Sequence, residues 1–330
     1  MTWLTWRQFR GQAAIALAAV AVLATYLVVL GLRIRDTYDA SVNCGAGCSL
    51  AAARDTLSHD YFTALLLSGF LVVLVPGLLG VFWGAPLVAR EIETGTHRLV
   101  WNQSVTRTRW LAVKLGVVTL AGVALTGALS ILLTWAASPY DKLVGGRFDP
   151  LIFPTRNIAP LGYAIFAVVA GITIGLLTRR TVAAMAITLA AFATLQILLP
   201  ATIRPHLQPA VTETVAFDTT SARQGARINI KGGTAKIEGY AMPGAWVLSA
   251  STELLDTAGQ PITGTQLDGC TTGDRDKDDV CYAARKLHFV VEYQPADRYW
   301  TFQGLEFAAY LVLAALLAAL AFWRIRRGLN

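Results

Sequence analysis

Apolar residues cluster in six runs, at 13–32, 61–84, 111–135, 158–178, 181–199 and 304–323, with polar segments between them. A helix rises 1.5 Å per residue, so about 20 apolar residues cross the roughly 30 Å hydrocarbon core of a bilayer. The pattern predicts an all-α polytopic membrane protein of six transmembrane helices. The fourth and fifth runs are parted only by Thr178, Arg179, Arg180 and Thr181. One helix through both would be about twice the membrane thickness, so a tight hairpin with two arginines at its tip is expected.

The segments between runs differ in character. Residues 1–12 mix Trp3, Leu4, Trp6 and Phe9 with Arg7 and Arg10, which suits either a short helix in the headgroup layer or an aromatic and basic flank of the first span. Residues 85–110 are too charged to lie in lipid. Residues 200–303 are long enough for a small folded domain, and the stretches 227–230, 235–240, 246–249 and 287–293 are β-prone and bounded by Gly-Gly, Pro-Gly and Ala-Gly turn signals. The expected organisation is an N-terminal part, 1–199, with five spans; a small β-rich domain inserted between helices 5 and 6; and a last span with a basic tail, 304–330.

Composition agrees with the pattern. The 330 residues are 55% hydrophobic and 15% charged, with a mean hydropathy of +0.50, more apolar surface than one soluble core buries. Charge then orients the chain. With the N-terminus inside, the inner segments hold twelve basic residues, from Arg7 to Arg327, against only Glu91 and Glu93, whereas the remaining segments hold 16 basic and 19 acidic residues. The positive-inside rule therefore places both termini in the cytoplasm and the β-rich insertion outside. Arginine outnumbers lysine 22 to 6, pointing to a GC-rich bacterial genome and a bacterial plasma membrane. The basic residues flank apolar spans, so anionic lipid rather than nucleic acid is their expected partner.

All four cysteines, Cys44, Cys48, Cys270 and Cys281, fall in the outer segments, where disulfides persist. The simplest pairing is Cys44 with Cys48 and Cys270 with Cys281, although four cysteines allow three connectivities.

Catalytic constellations are missing from the sequence. No phosphate-cradling Gly-x-x-x-x-Gly-Lys-Ser/Thr loop, His-Glu-x-x-His or Gly-x-Ser-x-Gly occurs, and the four histidines lack ligand spacing. The chain is expected not to be an enzyme and to hold no metal or cofactor. Asp274, Asp276, Asp278 and Asp279 imitate the start of a calcium loop but lack its glycine and bidentate glutamate, and read as a solvated loop inside a disulfide ring. Within the spans the sequence shows Lys114 and Glu306, each near an end where it is expected to reach the interface. Gly171-x3-Gly175 and the run Gly116, Gly122, Gly127 predict close helix packing.

Together the amphipathic N-terminal segment, six spans, charged loop after span 2, short inner hairpin and large outer loop before span 6 resemble the ABC-2 type permeases, the membrane-spanning subunits of ABC exporters. The stretch Val88-Ala-Arg-Glu-Ile-Glu-Thr-Gly-Thr-His-Arg-Leu99, followed by Ser104-Val-Thr-Arg107 and Lys114-Leu115, is similar to that family's pattern after the second span. The resemblance implies a coupling helix that docks on a separate ATP-binding subunit, with Arg90, Glu91, Glu93, Thr94, Gly95, Thr96, His97 and Arg98 as candidates. It implies two permease copies, identical or different, with ATP and magnesium held by the partner ATPase. It also implies a path lined by spans 2 and 5, here offering Phe70, Pro76, Phe82, Trp83, Met185, Phe192 and Gln196. So apolar a lining suits a hydrophobic or amphipathic cargo such as a drug-like metabolite, lipid or peptide. The 104-residue insertion departs from the family's short loop at this place. A second reading is a membrane-anchored sensor or assembly factor whose outer domain binds a ligand.

Overall fold

The computed structural model describes residues 2–43, 49–96, 106–270 and 272–327. Among them, six helices are long and apolar enough to cross a membrane. The chain divides into two compact units: a helical one of residues 1–145, 150–204 and 300–330, and a smaller one of residues 146–149 and 205–299.

In the helical unit, α1 (Thr2–Val42) is continuous and has no break at the end of the amphipathic segment. Ser49 caps α2 (Leu50–Leu79), its hydroxyl accepting from the Ala52 amide at 3.4 Å. Pro76 sits inside α2, and the helix then passes through one π-helical turn, Gly80–Gly84, into α3 (Ala85–Glu93). Proline removes a backbone donor and crowds the preceding turn, and glycine tolerates the close approach that follows. Thr106 caps α4 (Arg107–Leu143) through its hydroxyl. The predicted hairpin joins α5 (Ala159–Thr178) to α6 (Thr181–Leu198) through two residues, with Arg179 left-handed at φ 58° and Arg180 extended. The last helix, α9, spans Tyr299–Arg326. The helices overrun the apolar runs at most ends, because hydrogen bonding continues where the side chains turn polar.

Helix α5 is the hub. In its most apolar stretch 72% of residues are buried, against 17% for α1 and 22% for α6 and α9. One cluster joins Leu79, Trp83 and Val88 to Trp110, Val118, Ile172 and Ile325; a second joins α1, α2 and α4 through Leu27, Ile34, Leu57, Val72 and Leu133; a third joins α5, α6 and α9 through Tyr163, Phe166, Phe192 and Tyr310. Gly171 and Gly175 interlock with the π turn. A Cβ on Gly171 would lie 2.3 Å from the Gly80 carbonyl oxygen, and one on Gly175 would lie 2.6 Å from that of Ala85. The small-residue motif therefore sets the spacing between α5 and the second span.

The smaller unit is built on a six-stranded antiparallel sheet in the order β1-β6-β5-β3-β2, with β4 also pairing β6. Its strands are β1 (Val211–Ala216), β2 (Arg227–Lys231), β3 (Thr234–Glu238), β4 (Trp246–Val247), β5 (Ser251–Leu255) and β6 (His288–Gln294). Gly232 and Gly233, at φ 63° and 85°, form the β2–β3 turn that the Gly-Gly signal predicted. Four strands match the β-prone stretches, while β1 and β5 carried no such signal. A short helix, α7 (Thr219–Arg223), starts at an Asp218–Ser221 capping box. Phe217, Ile237, Leu254, Leu267, Leu287 and Phe289 form the core. Cys270 and Cys281 are bonded, as the simplest pairing has it, whereas Cys44 and Cys48 lie outside the described residues. The expected solvated loop inside that ring is instead mostly the helix α8 (Arg275–Ala284). Thr272 folds back on it, its amide and hydroxyl both donating to Asp278 at 2.7 and 2.6 Å.

Candidate functional site

The described start of the charged segment, residues 85–96, continues the second span as helix α3 and its end. Ala85, Val88 and Ala89 are buried, and Arg90, Glu93, Thr94 and Thr96 are exposed. The helix stops at Thr94, whose amide and hydroxyl both donate to the Arg90 carbonyl at 3.0 and 2.8 Å. Gly95 then turns left-handed at φ 72°, and the Thr96 hydroxyl points back to that of Thr94 at 3.1 Å. His97 and Arg98 lie outside the described residues.

Two carboxylates tie α3 to other spans. Glu91 meets Lys114 of α4, Oε1 to Nζ, at 2.6 Å. The same ammonium donates to the Leu87 carbonyl at 3.1 Å and lies 4.6 Å from the centre of the Trp110 ring. Glu93 accepts from both the amide and the hydroxyl of Thr181, at 2.9 and 2.7 Å. It therefore caps α6 from a different helix, and its charge faces the positive end of the α6 dipole. The Arg90 side chain makes no ion pair or hydrogen bond among the described residues, and the residue is exposed. The geometry can carry a push on the end of α3 into α4 through Glu91, into α6 through Glu93, and into α5 through the glycine contact.

The path candidates are not brought onto one surface. Phe70 and Phe82 are exposed. Pro76 is buried, Trp83 lies in the core beside Trp110 and Leu111, and Met185 packs with Ala85, Ala89 and Ala184. Phe192 is buried against Gly77, where α2 and α6 touch. Gln196 accepts from the Tyr310 hydroxyl at 3.5 Å.

Lys114 and Glu306, the two charges the sequence shows within the spans, are 4% and 0% exposed, and both are paired. Arg204, at the end of the π turn that extends α6 (Leu199–Ile203), forms a two-pronged bond to Glu306, with Nε at 2.7 Å and Nη2 at 3.0 Å. The Tyr163 hydroxyl donates to the same carboxylate. Beside them Gln303 accepts from the Ala159 amide at 2.9 Å and donates to the Phe153 carbonyl at 3.0 Å. A further pair joins the buried Arg156 to Asp141 at 2.7 Å. The sequence carried one usable signal for the Arg204 pair, a basic residue just past the fifth apolar run and an acidic one at the start of the sixth. Pairing compensates the desolvation of both charges, which is what removes the need to reach water.

These features define a multi-pass membrane protein of the transporter-permease class. Residues 17–204, more than half of the chain, match the family described as ABC-2 membrane transporter related, and the chain belongs to that family. No curated protein and no solved structure matches it.

Proposed function

We propose that this chain is the membrane-spanning subunit of an ATP-driven exporter, moving a hydrophobic or amphipathic cargo across a bacterial plasma membrane. ATP and magnesium bind a separate ATP-binding subunit, and two permease copies form the transporter. Both termini face the cytoplasm and the β unit faces outward, a placement supported by the positive-inside bias and by the Cys270–Cys281 bond.

The observation that carries this reading is the tethering of α3. The helix is fixed to three spans through Glu91, Glu93 and the glycine contact, while Arg90, Thr94 and Thr96 stay exposed for a partner. A partner that closes on ATP and presses this helix tilts spans rather than deforming a loop. Phe70 and Phe82, exposed on the second span, are the path candidates left open to a second copy.

The test is purification from native membranes with identification of co-purifying chains, followed by ATP hydrolysis measured with and without Glu91→Ala plus Glu93→Ala. A bound ATPase whose retention or activity falls in the double variant is expected. Absence of any ATPase would favour a membrane-anchored sensor or assembly factor.

A further inference from the structure

A second site lies in the helical unit, away from α3. A groove of about 550 Å³ is lined by Arg35 of α1, by Gly127, Ile131, Thr134, Trp135 and Ser138 of α4, by Asn157, Ile158 and Leu161 at the start of α5, and by Trp300 of α9. Its polarity is graded. Along α4 the lining passes from Gly127 and Ile131 to Thr134 and Ser138 as the helix nears its C-terminal end, and along α5 from Leu161 and Ile158 back to Asn157. Gly127 and Ser138 are eleven residues apart, about 16 Å along the helix axis. Both walls thus turn from apolar to polar toward the same end.

That end holds a pre-positioned cation. The Arg35 guanidinium lies 3.8 Å from the centre of the Trp135 ring, donates from Nη1 to the Gly31 carbonyl at 2.9 Å and from Nη2 to the Trp135 carbonyl at 2.6 Å. Two of its five donors are thereby used and three remain. No carboxylate among the described residues lies within 4 Å of it, Asp36 and Asp39 on the same helix included. The Ser138 hydroxyl likewise has no protein partner among the described residues. Trp135, under the arginine, and Trp300, elsewhere on the lining, are both partly exposed, as indoles at the headgroup level are.

We propose that this groove binds one anionic glycerophospholipid, its phosphate on Arg35 with Ser138 beside it and an acyl chain along Ile131 and Leu161. A planar guanidinium with spare donors and no acidic neighbour suits a phosphodiester of net negative charge. A zwitterionic headgroup brings a cation for which the groove has no counter-charge, and a free anion leaves the apolar length unfilled. The assignment does not depend on the exporter reading, since its readout is lipid retention rather than transport.

The test is native mass spectrometry of the full chain released from detergent with phosphatidylglycerol or phosphatidylcholine of identical acyl chains. Wild type retains phosphatidylglycerol preferentially. Arg35→Gln lowers that retention roughly tenfold, the size expected for losing a hydrogen bond to a charged group. Ile131→Trp, which fills the apolar half and leaves the arginine in place, lowers it as well and carries the test if Arg35→Gln does not fold. Arg33→Gln, on an exposed position roughly 200° around α1, leaves retention unchanged. Equal retention of both lipids, no effect of Arg35→Gln and Ile131→Trp, an equal loss in Arg33→Gln, or competition by water-soluble glycerophosphoglycerol as strong as by the lipid would each overturn the proposal.

Discussion

Arg204 and Glu306, 102 residues apart in sequence, face each other through two hydrogen bonds of 2.7 and 3.0 Å with both side chains almost fully buried. One ends the approach to the β unit and the other follows its return, so the pair fixes α6 against α9. Tyr163 donates a third bond to the carboxylate from α5.

Removing one partner leaves the other charge buried and uncompensated. Arg204→Ala or Glu306→Gln is expected to destabilise the helical unit by about 3–5 kcal/mol, whereas Arg204→Met with Glu306→Leu together recovers most of that loss. Thermal unfolding of the purified variants checks this, and additive losses in the double variant would refute the pairing.

Lys114 and Glu93 allow a separation of stability from coupling. Lys114→Met is expected to cost about 3–5 kcal/mol by the same argument. Glu93→Gln weakens an exposed cap on α6, so its unfolding temperature stays near wild type while ATP hydrolysis by the bound partner becomes less responsive to the permease. A Glu93→Gln protein with unchanged partner activity would show that the Thr181 contact transmits nothing.

The glycines divide by environment. Gly171→Ala drives a methyl into the Gly80 carbonyl at 2.3 Å, and the backbone there cannot yield without separating α5 from the π turn. Loss of the monodisperse protein in size-exclusion chromatography is expected. A methyl added at Gly116 would meet nothing within 4 Å among the described residues, so Gly116→Ala is tolerated and gains up to about 1 kcal/mol from helix propensity.

The two Thr272 hydrogen bonds, side chain first, hold the Asp278 carboxyl below its ordinary value. A folded pKa below the unfolded one contributes stability above about pH 4, lost as pH falls through the folded value. Hydrogen exchange of the α8 amides, corrected for intrinsic pH dependence, is expected to quicken in that window in wild type and to lose this step in Asp278→Asn.

The spans were legible because each apolar run is long enough to declare itself locally, and the hairpin because Arg179 and Arg180 interrupt two such runs. The family was legible from the Ala89 to Arg98 pattern and its neighbours. Strands β1 and β5 were not, since Val211–Ala216 is mostly exposed and its polar 212–214 break any alternation, and Ser251–Leu255 mixes polar and apolar positions. The Asp274–Asp279 stretch looked like a loop because its charges hid the helix that Asp278 and the disulfide stabilise.

The sequence by itself determined how many times the chain can cross a membrane, where the β unit is inserted and which segment carries the family's signature, because these depend on run length, charge placement and local motif. Only the tertiary structure decided that Glu91 and Glu93 hold different helices, that Arg204 finds Glu306 and that Arg35 stands at an apolar groove with no acid within 4 Å among the described residues. Each of these joins residues far apart in the chain, and whether a charge inside a helical bundle is costly, paired or available is set by what the neighbouring helices bring within 3 to 4 Å of it.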